Sequence, residues 1–145
     1  MFSAKHLQIG KDGEVLAERF VTRLGYKIIT KNFSRPWGEI DIIAKSKEGK
    51  VIFFEVKTIR QEPSGNESGN DLSPEDNLSR SKLKKLEKTC EYFFNRHKHL
   101  TNSPLGWQID LIAIKLTGEK KPKPILTNID KNCVINHYPN ISAWY

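Results

Sequence analysis

Cysteine, methionine and long apolar runs are what this 145-residue chain has least of: two Cys and one Met. Cys90 and Cys133 each stand without a partner at ligand spacing, which excludes a disulfide framework and a cysteine-based structural zinc site. No apolar run approaches the roughly 18 residues that a membrane-crossing helix needs. The opening segment MFSAKHLQIGKDGEV carries no signal-peptide pattern, so the expected location is the cytoplasm. The four histidines show no HxH or HExxH spacing, and Gly10 and Gly13 do not make a phosphate-cradling loop. Acid is also scarce. Seventeen Asp and Glu face 24 Lys and Arg, a formal charge of +7 that favours polyanionic partners, nucleic acid first. The length predicts a single domain over residues 1–145, large enough to bury a core without staples.

What is there reads as alternating periods. From Gly13 to Leu24, Leu16, Ala17, Phe20, Val21 and Leu24 share one helical arc, and Gly25 stops the helix. Glu14 falls at the edge of that arc, where it could look into a cleft. The period then becomes two, with strands expected over Tyr26–Phe33, Trp37–Ala44 and Val51–Ile59, and a turn at Lys47-Glu48-Gly49-Lys50. The third strand is apolar on both faces, which places it centrally in a sheet covered on both sides. Residues 61–77 hold five acids and no base, and should form a flexible loop. A second helix is expected over Ser79–His99, with Leu83, Leu86, Cys90, Phe93, Phe94 and His97 on its apolar arc. Strands over Trp107–Leu116 and, more weakly, Cys133–Tyr138 follow, the first trailed by a Lys-Pro-Lys-Pro turn. The fold class is therefore α/β, an αβββαβ core whose central mixed sheet is flanked by helices.

The chemistry concentrates on the second and third strands. Glu55 and Lys57 project to one side with Val56 between them, and a hairpin about Gly49 lets Asp41 reach that side. Two carboxylates among apolar neighbours raise each other's pKa and are costly to bury unless neutralised. A divalent cation does this, because carboxylate oxygens match the hard ligands Mg²⁺ prefers. Lys57 could then orient the attacking water or stabilise transition-state charge, with Glu14 in support. The plainer alternative is a Glu55–Lys57 pair on a solvated strand face beside an unrelated acid.

Asp41, a gap of thirteen residues, and then Glu55-Val56-Lys57 resembles the PD-(D/E)XK nuclease core of restriction endonucleases and Holliday junction resolvases. More closely, the chain resembles the bacterial UPF0102 (YraN-like) family. The matching stretches are Gly13-Glu14…Ala17, Asn32…Gly38-Glu39-Ile40-Asp41-Ile42-Ile43-Ala44, Phe53 to Arg60, Ser81-Lys82…Lys85-Leu86 and Ile109-Asp110. That resemblance implies a restriction-endonuclease-like fold. It puts Mg²⁺ or Mn²⁺ on Asp41, Glu55 and the Val56 backbone carbonyl, with Lys57 as the superfamily lysine and Glu14 as the accessory acid. It implies a metal-dependent endonuclease hydrolysing phosphodiester bonds in DNA, branched or otherwise structured, and related resolvases act as homodimers. The alternative is a non-catalytic nucleic-acid-binding or partner-binding module that keeps the nuclease fold. Where the family's last strand begins Arg-Phe-Asp, this chain has Gln108-Ile109-Asp110.

Around this constellation, residues 78–100 carry seven Lys or Arg against two Glu, a net of +5. Lys82 and Lys85 are the candidate phosphate contacts, against the simpler reading of a solvated helix face. Asp110 lies in an apolar strand and is expected to anchor a lysine such as Lys82 or otherwise serve the fold, against the alternative of a role in the active site. Cys90 and His97 read as core and core-edge residues. Trp37, Trp107, Tyr92, Tyr138 and Tyr145 read mostly as core or edge residues, since no basic interleaving marks them as a base-stacking set.

Overall fold

The computed structural model describes residues 4–60, 78–116 and 133–144. The acidic stretch at 61–77, the Lys-Pro-Lys-Pro turn and Tyr145 lie outside them. The elements run α1 (Ala4–Arg23), β1 (Lys27–Arg35), β2 (Gly38–Lys45), β3 (Val51–Arg60), α2 (Arg80–Arg96), α3 (Lys98–Thr101), β4 (Trp107–Leu116) and β5 (Cys133–Tyr138). A short 3₁₀ turn over Ile141–Trp144 follows. This is the expected αβββαβ order with its terminal strand.

The sheet has five strands in the order β1-β2-β3-β4-β5, so β3 is central as its two-sided apolar pattern requires. β1, β2 and β3 form an antiparallel meander, β3 and β4 run parallel across the α2 crossover, and β5 returns antiparallel to β4. Gly49 has φ +94°, which closes the β2–β3 turn in a region that favours glycine, and Gly25 at φ +88° ends α1 in the same way.

Each face of the sheet has its own core. Leu16, Ala17 and Val21 of α1 pack on Ile42, Ala44, Ile52, Phe54, Ile112 and Ile114. Leu83, Leu86, Cys90 and Phe93 of α2 pack on Ile43, Val51, Phe53, Ile109 and Leu111. Two glycines set how closely the helices approach. A Cβ on Gly13 would collide with the Thr58 hydroxyl, and one on Gly38 would collide with that of Thr89.

The strands shift by one or two residues from the expected bounds, and the larger differences are at the two long helices. α1 begins at Ala4 rather than near Gly13, because helix continues through glycines that local propensity disfavours. α2 ends at Arg96 rather than His99. The Thr101 hydroxyl donates to the Phe94 and His97 carbonyls, satisfying the free end of the helix while the chain starts a separate turn. Ser79 caps the N-terminus, its hydroxyl accepting from the Lys82 N–H.

A candidate carboxylate site in a strand fork

β2 and β3 are paired only from Ile42↔Phe54 to Lys45↔Val51. Beyond that point they separate. Gly38 to Ile40 stay paired with β1, while Glu55 to Arg60 are paired with β4 alone. The result is a fork whose two prongs carry Asp41 and Glu55, each half-buried. The Val56 N–H, which would otherwise continue the β2 ladder, donates to Asp41 Oδ2 at 2.7 Å. A strand residue points its N–H and C=O the same way, so the Val56 carbonyl also faces the fork.

The two carboxyl groups face each other across the fork, and the charge of Asp41 bears on Glu55. Burial is the largest influence on both and raises both pKa values, Asp41 to about 6 and Glu55 to about 8. For Asp41 the Val56 N–H pulls the other way, and the carboxylates of Glu14 and Glu39 push up again. For Glu55 the charge of Asp41 raises the value further, and the ammonium groups of Lys57 and Lys82 oppose it. Such a pair titrates as a unit.

Of the residues singled out in the sequence, Asp41, Glu55 and the Val56 backbone thus meet directly. Lys57 and Lys82 act on Glu55 through their charges, and Glu14 acts on Asp41 from α1. Lys85 is exposed on α2, its carbonyl accepting from the Thr89 hydroxyl. Among the described residues, no three Asp, Glu, His or Cys side chains converge as a ready-made metal cluster. The donor set in the fork is two carboxylates and a carbonyl. These are hard oxygen ligands brought together at one point, so the residues fit a small divalent cation.

Asp110 has a different role from the lysine anchor considered above. It projects to the α1 face of the sheet, opposite Glu55, and is 1% exposed. Its Oδ1 accepts from Gln108 Nε2 at 2.7 Å and the Asn140 N–H at 2.9 Å, and its Oδ2 lies 2.7 Å from His137 Nε2. Lys82, on the other face, is not its partner. Gln108 is committed to this network. No spacing in the sequence links Asp110 to His137, which arrives on the next strand. Cys90 is buried, and burial holds its thiol well above the ordinary range, so it is not a nucleophile. His97 stacks on Phe93 at 4.3 Å, as expected of a core-edge residue.

Comparison with known proteins places this geometry in a family. The model described as "Uncharacterised protein family UPF0102" matches residues 13–114, which include both prongs of the fork and α2. The chain belongs to the UPF0102 family. A UPF0102 protein of Campylobacter jejuni is 39% identical over 104 residues, 71% of this chain and 80% of that one. A UPF0102 protein of Roseiflexus castenholzii is 32% identical over 114 residues, covering 79% of this chain and 84% of the relative. A third, from Fervidobacterium nodosum, is 38% identical over 101 residues, 70% of this chain and 68% of its own length. The family match begins at Gly13 and stops at Ile114, so His137 of the Asp110 network falls outside it. No helix among the described residues is long and apolar enough to cross a membrane.

Proposed function

We propose that this UPF0102 protein is a metal-dependent deoxyribonuclease acting on branched or otherwise structured DNA. The observation that carries the reading is the Asp41–Glu55 carboxyl pair, held in a strand fork with the Val56 N–H on Asp41 and two lysines beside Glu55. Mg²⁺ or Mn²⁺ bound by Asp41, Glu55 and the Val56 carbonyl would supply charge neutralisation and an acidified water. The chain's own groups do the rest. Val56 holds Asp41 in orientation through its N–H, so the carboxylate does not swing out to solvent. Lys57, on the same side of β3 as Glu55, holds the attacking water or the developing negative charge. Lys82, at the start of α2, offers an ammonium to the phosphate next to the one being cleaved. The net charge of +7 draws the polyanion in.

The spacing Asp41…Glu55-Val56-Lys57 resembles the PD-(D/E)XK nucleases and supports the same reading. A cytoplasmic location suits a DNA substrate in a bacterial family. Homodimerisation, as in related resolvases, is part of the proposal for four-way junctions.

The test is cleavage of labelled linear, single-stranded, flapped and four-way-junction DNA in Mg²⁺ and in Mn²⁺, with Glu55→Ala in parallel. The expected result is cleavage by the wild type and a loss of at least about 100-fold in the folded variant. Equal cleavage by Glu55→Ala removes the fork from the mechanism. One observation favours a second reading, a non-catalytic nucleic-acid-binding or partner-binding module. Asp41 already accepts the Val56 N–H, and no third acid converges on the pair among the described residues. Under that reading DNA binds but is not cut in either metal.

A further inference from the structure

Trp37 is not the core or edge residue that sequence reading makes it. It occupies the tip of the two-residue β1–β2 turn, Pro36-Trp37, between the paired residues Arg35 and Gly38, and 43% of its surface is exposed. Turn tips favour Gly, Asn and Asp, so neither local backbone chemistry nor burial accounts for an indole there. Its neighbours are aromatic and cationic. The Trp37 ring meets Tyr92 of α2 edge-on at 5.2 Å, and the guanidinium groups of Arg35 and Arg96 lie over Tyr92 at 5.4 and 5.1 Å. The Tyr92–arginine stack pins the hairpin tip to the helix. That role explains Tyr92 and both arginines, and leaves Trp37 presented to solvent beside two positive charges.

The patch continues into the carboxylate fork. At about 100° per residue, Lys82, Lys85, Lys88, Tyr92 and Arg96 fall within roughly a 120° arc of α2. β2 runs beside that stripe, with Gly38 against Thr89 and the Lys85 carbonyl, and leads to Asp41 beside Glu55, which feels the charge of Lys82. Trp37 to Asp41 is four strand residues, about 13 Å. Tyr92 to Lys82 is ten helical residues, about 15 Å. The two rulers agree, so one straight track joins the indole to the fork.

We propose that Trp37 is a stacking platform for an unpaired base of single-stranded DNA, whose phosphates follow the α2 basic stripe toward the fork. A π-face with flanking guanidinium groups is the chemistry that grips unpaired bases without regard to sequence, and a paired base has no face free for it. The proposal deepens the nuclease reading and rests on it for one consequence. The substrate carries an unpaired stretch, and the cut falls within about four nucleotides of the stacked base, taking 3.4 Å per stacked step. The binding itself needs no catalysis, so the two can fail separately.

The test is anisotropy titration of a labelled oligo-dT and of a blunt-ended, fully paired duplex with the full chain, without divalent ions, for wild type, Trp37→Ala and Trp37→Phe. Circular dichroism and thermal melting establish that the variants fold. Trp37→Ala is expected to weaken oligo-dT binding about tenfold or more, Trp37→Phe to stay within about threefold, and duplex binding to be unchanged. Equal oligo-dT affinity in Trp37→Ala, equal losses for both ligands, or no oligo-dT binding by the wild type would each overturn the stacking platform. Loss of cleavage in Glu55→Ala with no effect of Trp37→Ala leaves the nuclease standing and removes this inference. Oligo-dT binding lost in Trp37→Ala, with cleavage unaffected by Glu55→Ala, keeps the platform and removes the nuclease.

Discussion

At the scale of single residues, the fork is a pair of acids that prefer to be protonated. Both carboxyl groups have pKa values above those of an unfolded chain, so the folded state binds more protons between the ordinary carboxylate range and about pH 8. Unfolding free energy therefore falls as pH rises through that window. The expected outcome in divalent-free buffer is a melting temperature that declines from pH 5 to pH 8, and recovers at pH 8 when Mg²⁺ is added. Glu55→Gln should flatten the decline and gain on the order of 1–3 kcal/mol at pH 8, the desolvation scale of one buried polar group. Thermal melts across pH decide it, and a wild-type curve that is flat or rises would sink the account. This part of the site was legible in the sequence because strand alternation alone puts Glu55 and Lys57 on one face. The Val56 N–H on Asp41 was not legible, since it depends on where β2 and β3 part company. Asp110 shows the same limit. Its burial could be read from the apolar strand around it, but its partners come from β4, β5 and the turn at Asn140, which no local pattern ties together.

At the scale of elements, the helices hold the sheet through points of contact that side-chain patterns do not announce. Gly13 is a poor helix former in the middle of α1, and its value is tertiary: it lets the helix approach Thr58 of β3. Gly13→Ala would improve helix propensity and still destabilise the protein, by about 1–3 kcal/mol, because the new methyl must displace α1 from the sheet. Chemical denaturation should show a lower midpoint with an unchanged slope, and a midpoint at or above that of the wild type would refute the close-approach explanation. The periodicity of Leu16, Ala17, Phe20 and Val21 was enough to find this helix and its buried face. Its start at Ala4 was hidden by Gly10 and Gly13, which read locally as breaks. The basic run of α2, with Lys82 and Lys85 as its candidate phosphate contacts, was legible from the sequence. Its alignment with β2 follows from the contact at Gly38, and the exposure of Trp37 from a turn too tight to fold the indole inward.

At the scale of the whole molecule, the sheet combines strands of very different sequence range. β1, β2 and β3 are joined by short turns, whereas Val51 pairs with Trp107, some 56 positions later. Local pairings form early in folding, and distant ones wait for a long loop to close. Asp41 and Glu55 both belong to the early part, and Lys82 comes with the later crossover. The chain must therefore bring two like charges together with Lys57 in place but the second offsetting ammonium, Lys82, still to come. If so, the fork is an obstacle on the way to the folded state as well as a site within it. Glu55→Gln at pH 8 should speed refolding several-fold and change the unfolding rate little, the signature of a position already organised in the transition state. Stopped-flow refolding and unfolding limbs measure this, and a gain confined to slower unfolding would overturn that order of events. A protein built this way would reach its native state fastest where protons or divalent ions are plentiful, so the ion invoked for chemistry would also be a folding aid.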